Sequence, residues 1–264
     1  MNRIRNLIAT RGERKLLVPF FTVGYPDVAC STRLALAAAN SGADMIELGM
    51  PFSDPLADGP AIQYSSQIAL RNGTNLDTVI VCVSAIRTQT EVPLVLMGYY
   101  NPIFAYGTSK FLKLCARTGV DGLIIPDLPI EEATEFCTHM KSNDLSSIFL
   151  VAPTSSTERV KAIDRHSSDF VYAVTVTGVT GARRKFDRST EQYLSSLRRL
   201  LTRPFVAGFG VSSAESAKRL ARYSDGVVIG SELISQMREA RTSSEGVKKV
   251  TSLLSSIRRA LDRV

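Results

Sequence analysis

The sequence has few of the residues from which metal and redox sites are built. It contains two histidines and four cysteines, and no two cysteines stand at CxxC spacing. A structural zinc site needs four nitrogen or sulfur ligands held close together, so this scarcity argues against a metal site. We expect reduced cysteines that pack within helices, as is usual for proteins of the cytosol.

Long apolar runs are also missing. No uninterrupted apolar segment approaches the roughly 20 residues that a membrane-spanning helix needs. The beginning, MNRIRNLIATRGERK, mixes charges through a short helix-like pattern and does not resemble a signal peptide. We therefore expect a cytoplasmic protein without a membrane partner. With 264 residues, 44% of them hydrophobic, the chain can bury a large core, which suits a barrel or another α/β architecture.

The net charge of +7 raises the question of a nucleic-acid partner. The basic clusters lack an aromatic stacking platform and a known nucleic-acid motif, so we expect none. We interpret the cluster in the last helix as a solvated face, and the cluster in a loop as a sign of an anionic small molecule. The loop cluster comprises Arg183, Arg184, Lys185 and Arg188, and the helix cluster comprises Lys248, Lys249, Arg258, Arg259 and Arg263.

Short apolar runs alternate with amphipathic helical patterns along the whole chain. The predicted strands are residues 16–23, 44–48, 94–97, 123–125, 147–151, 170–174, 205–207 and 226–229. Helices are predicted between them, including 60–71, 76–89, 108–118, 130–141, 156–165 and 190–201. This pattern predicts a single (β/α)8 TIM barrel domain over residues 1–264 with an extra N-terminal helix at 3–11. An open doubly wound sheet is the alternative, but no Gly-rich dinucleotide fingerprint follows the first strand.

Two carboxylates stand out in the segment ADMIELGMPFSDPLADGPAIQ, residues 43–63. Active-site groups of a barrel lie at the C-terminal ends of its strands, and Glu47 lies near the end of the second strand. If Glu47 faces the interior beside Met45, burial raises its pKa, which suits a group that holds and delivers a proton. Asp58 is the second candidate, with a helix N-cap or a turn aspartate as the structural alternative.

Glycines at two neighbouring strand ends indicate a phosphate site. Residues 208–212, GFGVS, follow the seventh strand, and Gly230 and Ser231 open a helix after the eighth. Their backbone N–H groups can bind a phosphate, although glycines that serve only tight turns are the alternative. The basic loop 175–190 is interpreted as a lid over an anionic substrate, or else as a plain surface loop. In it, Gly181 would add an amide and Thr180 would bind a loop aspartate.

Seven segments taken in order resemble the tryptophan synthase alpha subunit family. They are VPFFTVGYPD, ADMIELGMPFSDPLADGPAIQ, MGYYNPI, VDGLIIPDLPIEE, VTVTGVTGAR, AGFGVSS and DGVVIGSELI. The resemblance implies a barrel enzyme, a carbon–carbon lyase, that splits indole-3-glycerol phosphate into indole and glyceraldehyde 3-phosphate by retro-aldol cleavage. It also implies an α2β2 assembly with a beta subunit that carries pyridoxal phosphate and receives the indole, and no cofactor in this chain.

The resemblance also assigns roles to residues of this sequence. Glu47 matches the general acid/base that protonates indole C3, and Asp58 matches the acid that binds the indole N–H and stabilises positive charge on the ring. The matched substrate positions are Tyr172, Phe20, Ile62, Met97, Ile124, Phe209 and Thr180. The matched phosphate positions are Gly181, Gly210, Gly230 and Ser231, and the matched partner surface comprises Pro51, Asp54, Pro55, Asn101 and Pro102.

Three features depart from the family pattern. Gly98 stands where many relatives carry a larger residue, Glu232 adds a carboxylate beside the expected phosphate site, and residues 183–187 are unusually basic. A like charge near a phosphate weakens its binding unless the side chain turns away. A subunit with little activity of its own, which acts mainly as an allosteric activator of the beta subunit, is therefore the alternative function. Another phosphate-handling barrel enzyme is a more distant one, against which the loop LGMPFSDPLADGP argues.

Overall fold

Parallel strands and helices alternate along the chain in the computed structural model, which describes residues 2–175, 188–208 and 210–264. The strands are β1 Leu16–Thr22, β2 Ile46–Gly49, β3 Leu94–Met97, β4 Gly122–Ile124, β5 Ser146–Ile148, β6 Leu150–Val151, β7 Val171–Val174, β8 Phe205–Gly208 and β9 Gly226–Ile229. The helices are α1 Arg3–Thr10, α2 Val28–Asn40, α3 Pro60–Arg71, α4 Leu76–Arg87, α5 Tyr100–Tyr106, α6 Thr108–Thr118, α7 Thr134–Ser142, α8 Thr157–His166, α9 Arg188–Leu200, α10 Ala214–Ala221, α11 Ser231–Glu239 and α12 Ser243–Leu261.

The sheet closes on itself through the segment predicted as the fifth strand. Its order is β5-β4-β3-β2-β1-β9-β8-β7-β6, with parallel pairing throughout, so β5 and β6 stand at the two ends. Only Phe149 separates these two strands, and its carbonyl accepts a hydrogen bond of 3.1 Å from the Tyr172 N–H. The predicted barrel is therefore confirmed, and the open sheet is wrong. The fifth strand is divided because its first half pairs with β4 and its second half with β7.

Two helices depart from the sequence prediction by more than two residues. Helix α5 was not predicted, because Pro102 indicates a turn; yet a proline in the first turn of a helix loses no intrahelical hydrogen bond. Helix α7 begins at Thr134 instead of residue 130, after turns in which the Glu132 N–H donates to the carbonyl of Pro129. In both helices, the residues around the first turn determine where the helix begins.

The strands are buried on both faces. Every residue of β1, β2, β3, β8 and β9 is buried, because side chains fill the barrel interior and the helices cover the outside. Helix α12 packs against α10 through its buried apolar stripe, as its periodicity predicts. Arg258 corrects one prediction: it belongs to the cluster interpreted as solvated, but it is buried and contacts Asp44 at 2.7 Å.

Four aspartates connect the N-terminal ends of the strands in pairs. Each precedes a strand and accepts a hydrogen bond from the start of the strand before it in the barrel. The contacts are Asp44 with the Leu17 N–H at 2.8 Å, Asp121 with the Leu94 N–H at 2.9 Å, Asp169 with the Ser146 hydroxyl at 2.5 Å, and Asp225 with the Phe205 N–H at 3.0 Å.

Arginines neutralise the same aspartates. Asp121, for example, is 2.8 Å from Arg87 and 3.2 Å from Arg3, and it is almost fully buried. A buried carboxylate is tolerated only where it is paired and hydrogen-bonded, which these contacts provide. Ionic contacts at this end of the barrel thus stabilise the fold and leave the opposite end for chemistry.

The cysteines are free and lie on α2, α4, α6 and α7. Among the described residues, no histidine, cysteine and carboxylate side chains are grouped closely enough to hold a metal ion. Within the same ranges, none of the helices combines the length and apolar character that crossing a membrane requires.

Candidate active site

A cavity opens at the C-terminal ends of the strands. It holds about 450 Å³ of empty space, including its opening to solvent. The predicted residues that line it are Phe20, Glu47, Asp58, Ile62, Met97, Tyr172, Gly210, Gly230 and Ser231. Val211, from the predicted segment 208–212, also lines it, as does Val228, which was not predicted. Residues from β1, β2, β3, β7 and β9 thus converge on one space, as barrel closure requires.

Glu47 is the most buried polar group of the cavity. It is 1% exposed, it lies beside Phe20 and Val95 of the neighbouring strands, and neither carboxyl oxygen has a hydrogen-bond partner in the described part of the chain. Burial, and to a smaller extent the charge of Asp58, raises the pKa of Glu47 from 4.5 to about 8. The carboxyl group is therefore protonated at neutral pH and available to donate.

Asp58 lies at the far end of the loop that follows β2. It does not cap α3, since Gly59 is the N-cap residue, so the structural alternative of a capping aspartate is wrong. Burial raises the pKa of Asp58 from 3.8 to about 6, and the nearby Tyr99 hydroxyl opposes the rise. The cavity thus holds two carboxyl groups of different acidity, an arrangement that divides acid and anion roles between them.

Tyr172 faces the cavity from β7 and is buried. Its ring lies against Gly208 of β8: a Cβ built on Gly208 would be 2.4 Å from the Tyr172 hydroxyl. Burial, together with the charges of Glu47 and Asp58, raises the pKa of Tyr172 well above 10. The phenol therefore remains a neutral hydrogen-bond donor.

The opposite wall of the cavity is formed by backbone. Gly230 is the N-cap of α11, and Ser231 is its first residue and is exposed. Gly210 adopts a positive φ of 83°, and a Cβ there would meet nothing within 4 Å. Free N–H groups at a helix start bind anions. Glu232 turns along α11, where it accepts a hydrogen bond of 2.8 Å from Gln236.

Several predicted positions lie outside the described residues or outside the cavity. Thr180, Gly181, Phe209 and the basic segment 183–185 belong to the ranges that the structure does not describe. Ile124 is buried at the end of β4, in register with Met97, but it is not among the residues that line this cavity or its neighbour.

A second, smaller cavity adjoins the first and shares Phe20, Asp58, Ile62 and Met97 with it. Gly98 lies on its wall, where a Cβ would be 2.8 Å from the Met50 side chain. Met50 therefore occupies the space that a larger residue at position 98 would fill. The small residue at position 98, where the family pattern has a larger one, is therefore compensated by the packing of Met50.

The predicted partner surface is exposed on this side of the barrel. Asp54 and Asn101 are exposed, while Pro51, Pro55 and Pro102 are half-buried. Two apolar side chains that were not predicted extend this surface: Leu56 is 87% exposed and Phe104 is 67% exposed. Stacking of Phe52 on Tyr99, with ring centroids 5.1 Å apart, joins the loop after β2 to the segment after β3.

Comparisons with known proteins, by sequence and by structure, all match this chain to tryptophan synthase alpha chains. The family model described as tryptophan synthase alpha chain matches residues 8–262. The tryptophan synthase alpha chain of Thermoanaerobacter sp. (strain X514) is 44% identical over 263 residues, covering 99% of this chain and 100% of that one. That of Geobacter sulfurreducens is 43% identical and covers 99% of both chains.

Solved structures agree with the sequence matches. Tryptophan synthase subunit alpha from Legionella pneumophila str. Paris superposes with a TM-score of 0.92 at 34% identity, covering 100% of both chains. A chain of the aminoacrylate-bound tryptophan synthase of M. tuberculosis superposes with a TM-score of 0.87 at 31% identity, covering 99% of this chain and 100% of that one. The similarity therefore extends over the barrel as a whole.

Proposed function

This chain belongs to the tryptophan synthase alpha chain family, and from that premise we propose that Glu47 and Asp58 carry out its cleavage reaction. The family cleaves indole-3-glycerol phosphate to indole and glyceraldehyde 3-phosphate in tryptophan biosynthesis, and this chain is a carbon–carbon lyase of that kind. The observation that carries the assignment is a buried Glu47 carboxyl group, without a hydrogen-bond partner in the described part of the chain, in the same cavity as Asp58.

The first step requires a proton on carbon. With its pKa raised to about 8, Glu47 can donate its proton to C3 of the indole ring, which converts the ring to a cation with an N–H. Asp58 accepts a hydrogen bond from that N–H and stabilises the positive charge. The two acids have separate tasks because their surroundings separate their pKa values.

The second step breaks the bond between C3 and the glycerol chain. Glu47, now a carboxylate, takes the proton of the adjacent hydroxyl group as that carbon becomes the aldehyde of glyceraldehyde 3-phosphate. The bonding electrons return to the ring and leave neutral indole, so Glu47 ends the cycle protonated. Tyr172, a neutral donor beside the two acids, orients the glycerol chain through hydrogen bonding.

We place the phosphate at the backbone wall of the cavity. Gly210, Gly230 and Ser231 lie there, and the start of α11 favours an anion through its free N–H groups and its dipole. Gly181 and Thr180 belong to this part of the proposal. Phe20, Ile62 and Met97 form the apolar wall for the indole ring, and the proposal assigns Ile124 and Phe209 to the same wall.

The partner of this chain is a tryptophan synthase beta subunit; the neighbours include a solved tryptophan synthase complex of Pyrococcus furiosus. In the family, pyridoxal phosphate belongs to the beta subunit. We propose an α2β2 assembly in which no cofactor is held by this chain, and docking through Pro51, Asp54, Pro55, Asn101 and Pro102. We also propose that residues 1–264 act as one barrel domain in the cytoplasm, which suits a biosynthetic reaction on a phosphorylated intermediate.

The decisive experiment measures indole release from indole-3-glycerol phosphate by the purified chain, with and without its beta subunit. Glu47→Gln and Asp58→Asn should each lower the rate by about 10²–10⁴-fold without changing the circular dichroism spectrum. Glu91→Gln is the matched control, because Glu91 is an exposed glutamate at the other end of the barrel. Family membership favours the lyase over the purely regulatory alternative; indole release unaffected by either acid variant would contradict the proposal.

A further inference from the structure

Tyr99 connects the end of β3 to the loop that carries Asp58. It is buried, it occupies the N-cap position before α5, and it lines the smaller cavity beside Asp58, Met97 and Gly98. It lies 41 residues from Asp58 in the sequence, and the parallel pairing of β2 with β3 brings the two together. No role in the chemistry described above falls to Tyr99.

The Tyr99 hydroxyl contacts that loop beside Asp58. It accepts a hydrogen bond of 2.9 Å from the Ala57 N–H, and it lies near enough to the Asp58 carboxylate to lower the pKa of that group. A phenol has a single proton, and a backbone N–H can only donate. The proton of Tyr99 is therefore free to be donated to Asp58, and the same hydroxyl fixes the backbone immediately before Asp58.

Packing fixes where that hydroxyl lies. The Tyr99 ring stacks on Phe52 with an interplanar angle of 28° and is buried, so its position does not depend on the hydroxyl contacts alone. The loop it holds is otherwise open to solvent, with Ser53, Asp54 and Leu56 exposed. A rigid donor from a neighbouring strand end is the kind of support that keeps a reacting group within a fraction of an ångström of its working geometry.

We propose that Tyr99 is a positioning residue for the cleavage reaction, whose hydroxyl holds the Asp58 carboxylate at the cavity wall as an acceptor for the indole N–H. This inference rests on the proposed function, since it gives Asp58 the role described above. It adds to Glu47, Asp58 and Tyr172 a fourth polar side chain, which acts through Asp58.

Removal of the hydroxyl has a consequence that a purely structural role would not produce. A hydrogen bond donated to a carboxylate favours its charged form, so its loss raises the pKa of Asp58 further. The charge that stabilises the ring cation would then disappear at a higher pH. The acid limb of the pH–rate profile should therefore move to higher pH. A structural defect would instead lower the rate equally at every pH.

The test compares Tyr99→Phe with Tyr100→Phe. The second variant is the matched control, because the Tyr100 hydroxyl faces Thr108 at 3.5 Å and not an acid. We expect Tyr99→Phe to lower kcat for indole release about tenfold with little change in KM. The midpoint of the acid limb should move to higher pH by about one unit, the order expected for one hydrogen bond to a charged group. Tyr100→Phe should leave both unchanged.

A second readout separates this inference from the proposed function. The carboxyl carbon of Asp58, assigned by its absence in Asp58→Asn, can be titrated by NMR in the substrate-free chain. Its midpoint should be higher in Tyr99→Phe than in the unmodified chain and in Tyr100→Phe. An unchanged midpoint would overturn the inference whatever the activity, whereas an unmodified chain that releases no indole would overturn the proposed function.

Discussion

The Tyr172 ring lies directly against the α-carbon of Gly208, on the neighbouring strand. A Cβ at Gly208 would lie 2.4 Å from the Tyr172 hydroxyl and from a carbon of its ring, which is closer than real Cβ contacts allow. The absence of a side chain at position 208 therefore determines where the Tyr172 hydroxyl sits in the cavity. Glycine is required here for close approach.

Gly208→Ala should displace Tyr172 and lower kcat/KM for indole release about tenfold or more, since misplacement by about an ångström is costly in an active site. Overpacking of this kind destabilises the fold by about 1–3 kcal/mol. Urea unfolding and steady-state kinetics measure the two effects. In a Tyr172→Ala background the same methyl group meets no ring, so its effect on stability should nearly vanish; equal destabilisation in both backgrounds would show that the two residues do not interact.

The rate of indole release should follow a bell-shaped curve with pH. Asp58 must be ionised and Glu47 protonated, and their pKa values are raised to about 6 and about 8. The profile of kcat/KM should therefore fall below about pH 6 and above about pH 8, with both limbs belonging to the interacting pair. A rate that keeps rising from pH 8 to pH 9 would show that Glu47 does not act as the acid.

Glu47 should also make the fold less stable as pH rises. Its pKa is about 8 when folded and ordinarily 4.5, so between these values the folded chain binds more protons than the unfolded one. The free energy of unfolding should fall with pH across this window and level off above about pH 8. Glu47→Gln removes this dependence, so its stability relative to the unmodified chain should increase by a few kcal/mol, in order of magnitude, between pH 5 and pH 8. Denaturant unfolding at both pH values tests this, and a pH-independent difference would contradict it.

Asp121 should matter for stability and not for catalysis. Asp121→Ala leaves the Leu94 N–H without a partner and the half-buried Arg87 without its carboxylate, which costs about 3 kcal/mol. Glu91→Ala is the control, since it removes an exposed partner of Arg3 and should have a much smaller effect. Chemical unfolding measures the loss, and kcat below the unfolding temperature should be unchanged for both variants. A lowered kcat in Asp121→Ala would mean that the two ends of the barrel are coupled.

Much of the fold could be predicted because its signals are local and periodic. Apolar runs bounded by glycine, proline and aspartate marked the strands, and their number indicated closure. The division of the fifth strand at Phe149 could not be predicted, because it follows from a change of pairing partner between β4 and β7. Helix α5 was hidden by Pro102, whose effect depends on whether it lies in the first turn or in the interior.

The two carboxyl groups could be proposed from sequence because each stands in an unusual local context. Tyr99 could not, since its role depends on a contact with Asp58 across 41 residues. Gly208 was visible as part of a glycine pair, but only the position of Tyr172 shows which glycine is needed. The four aspartates at the N-terminal ends of the strands do leave a sequence signal, an aspartate before alternate strands, which indicates strand pairing and not chemistry. Arg258 was misassigned because its partner, Asp44, is distant in sequence.

The aspartate contacts at the N-terminal ends of the strands also bear on circular permutation. They join β1 with β2, β3 with β4, β5 with β7 and β8 with β9, and the contact of Asp44 with Leu17 spans 27 residues. New termini placed between two such pairs, for example at residues 88–93 between α4 and β3, would keep every contact short in sequence. New termini within a pair would turn one contact into a link between the two ends of the permuted chain, which slows folding. The barrel is closed, but these contacts group its strands into four pairs. This leaves four preferred positions for the chain termini, each between two pairs.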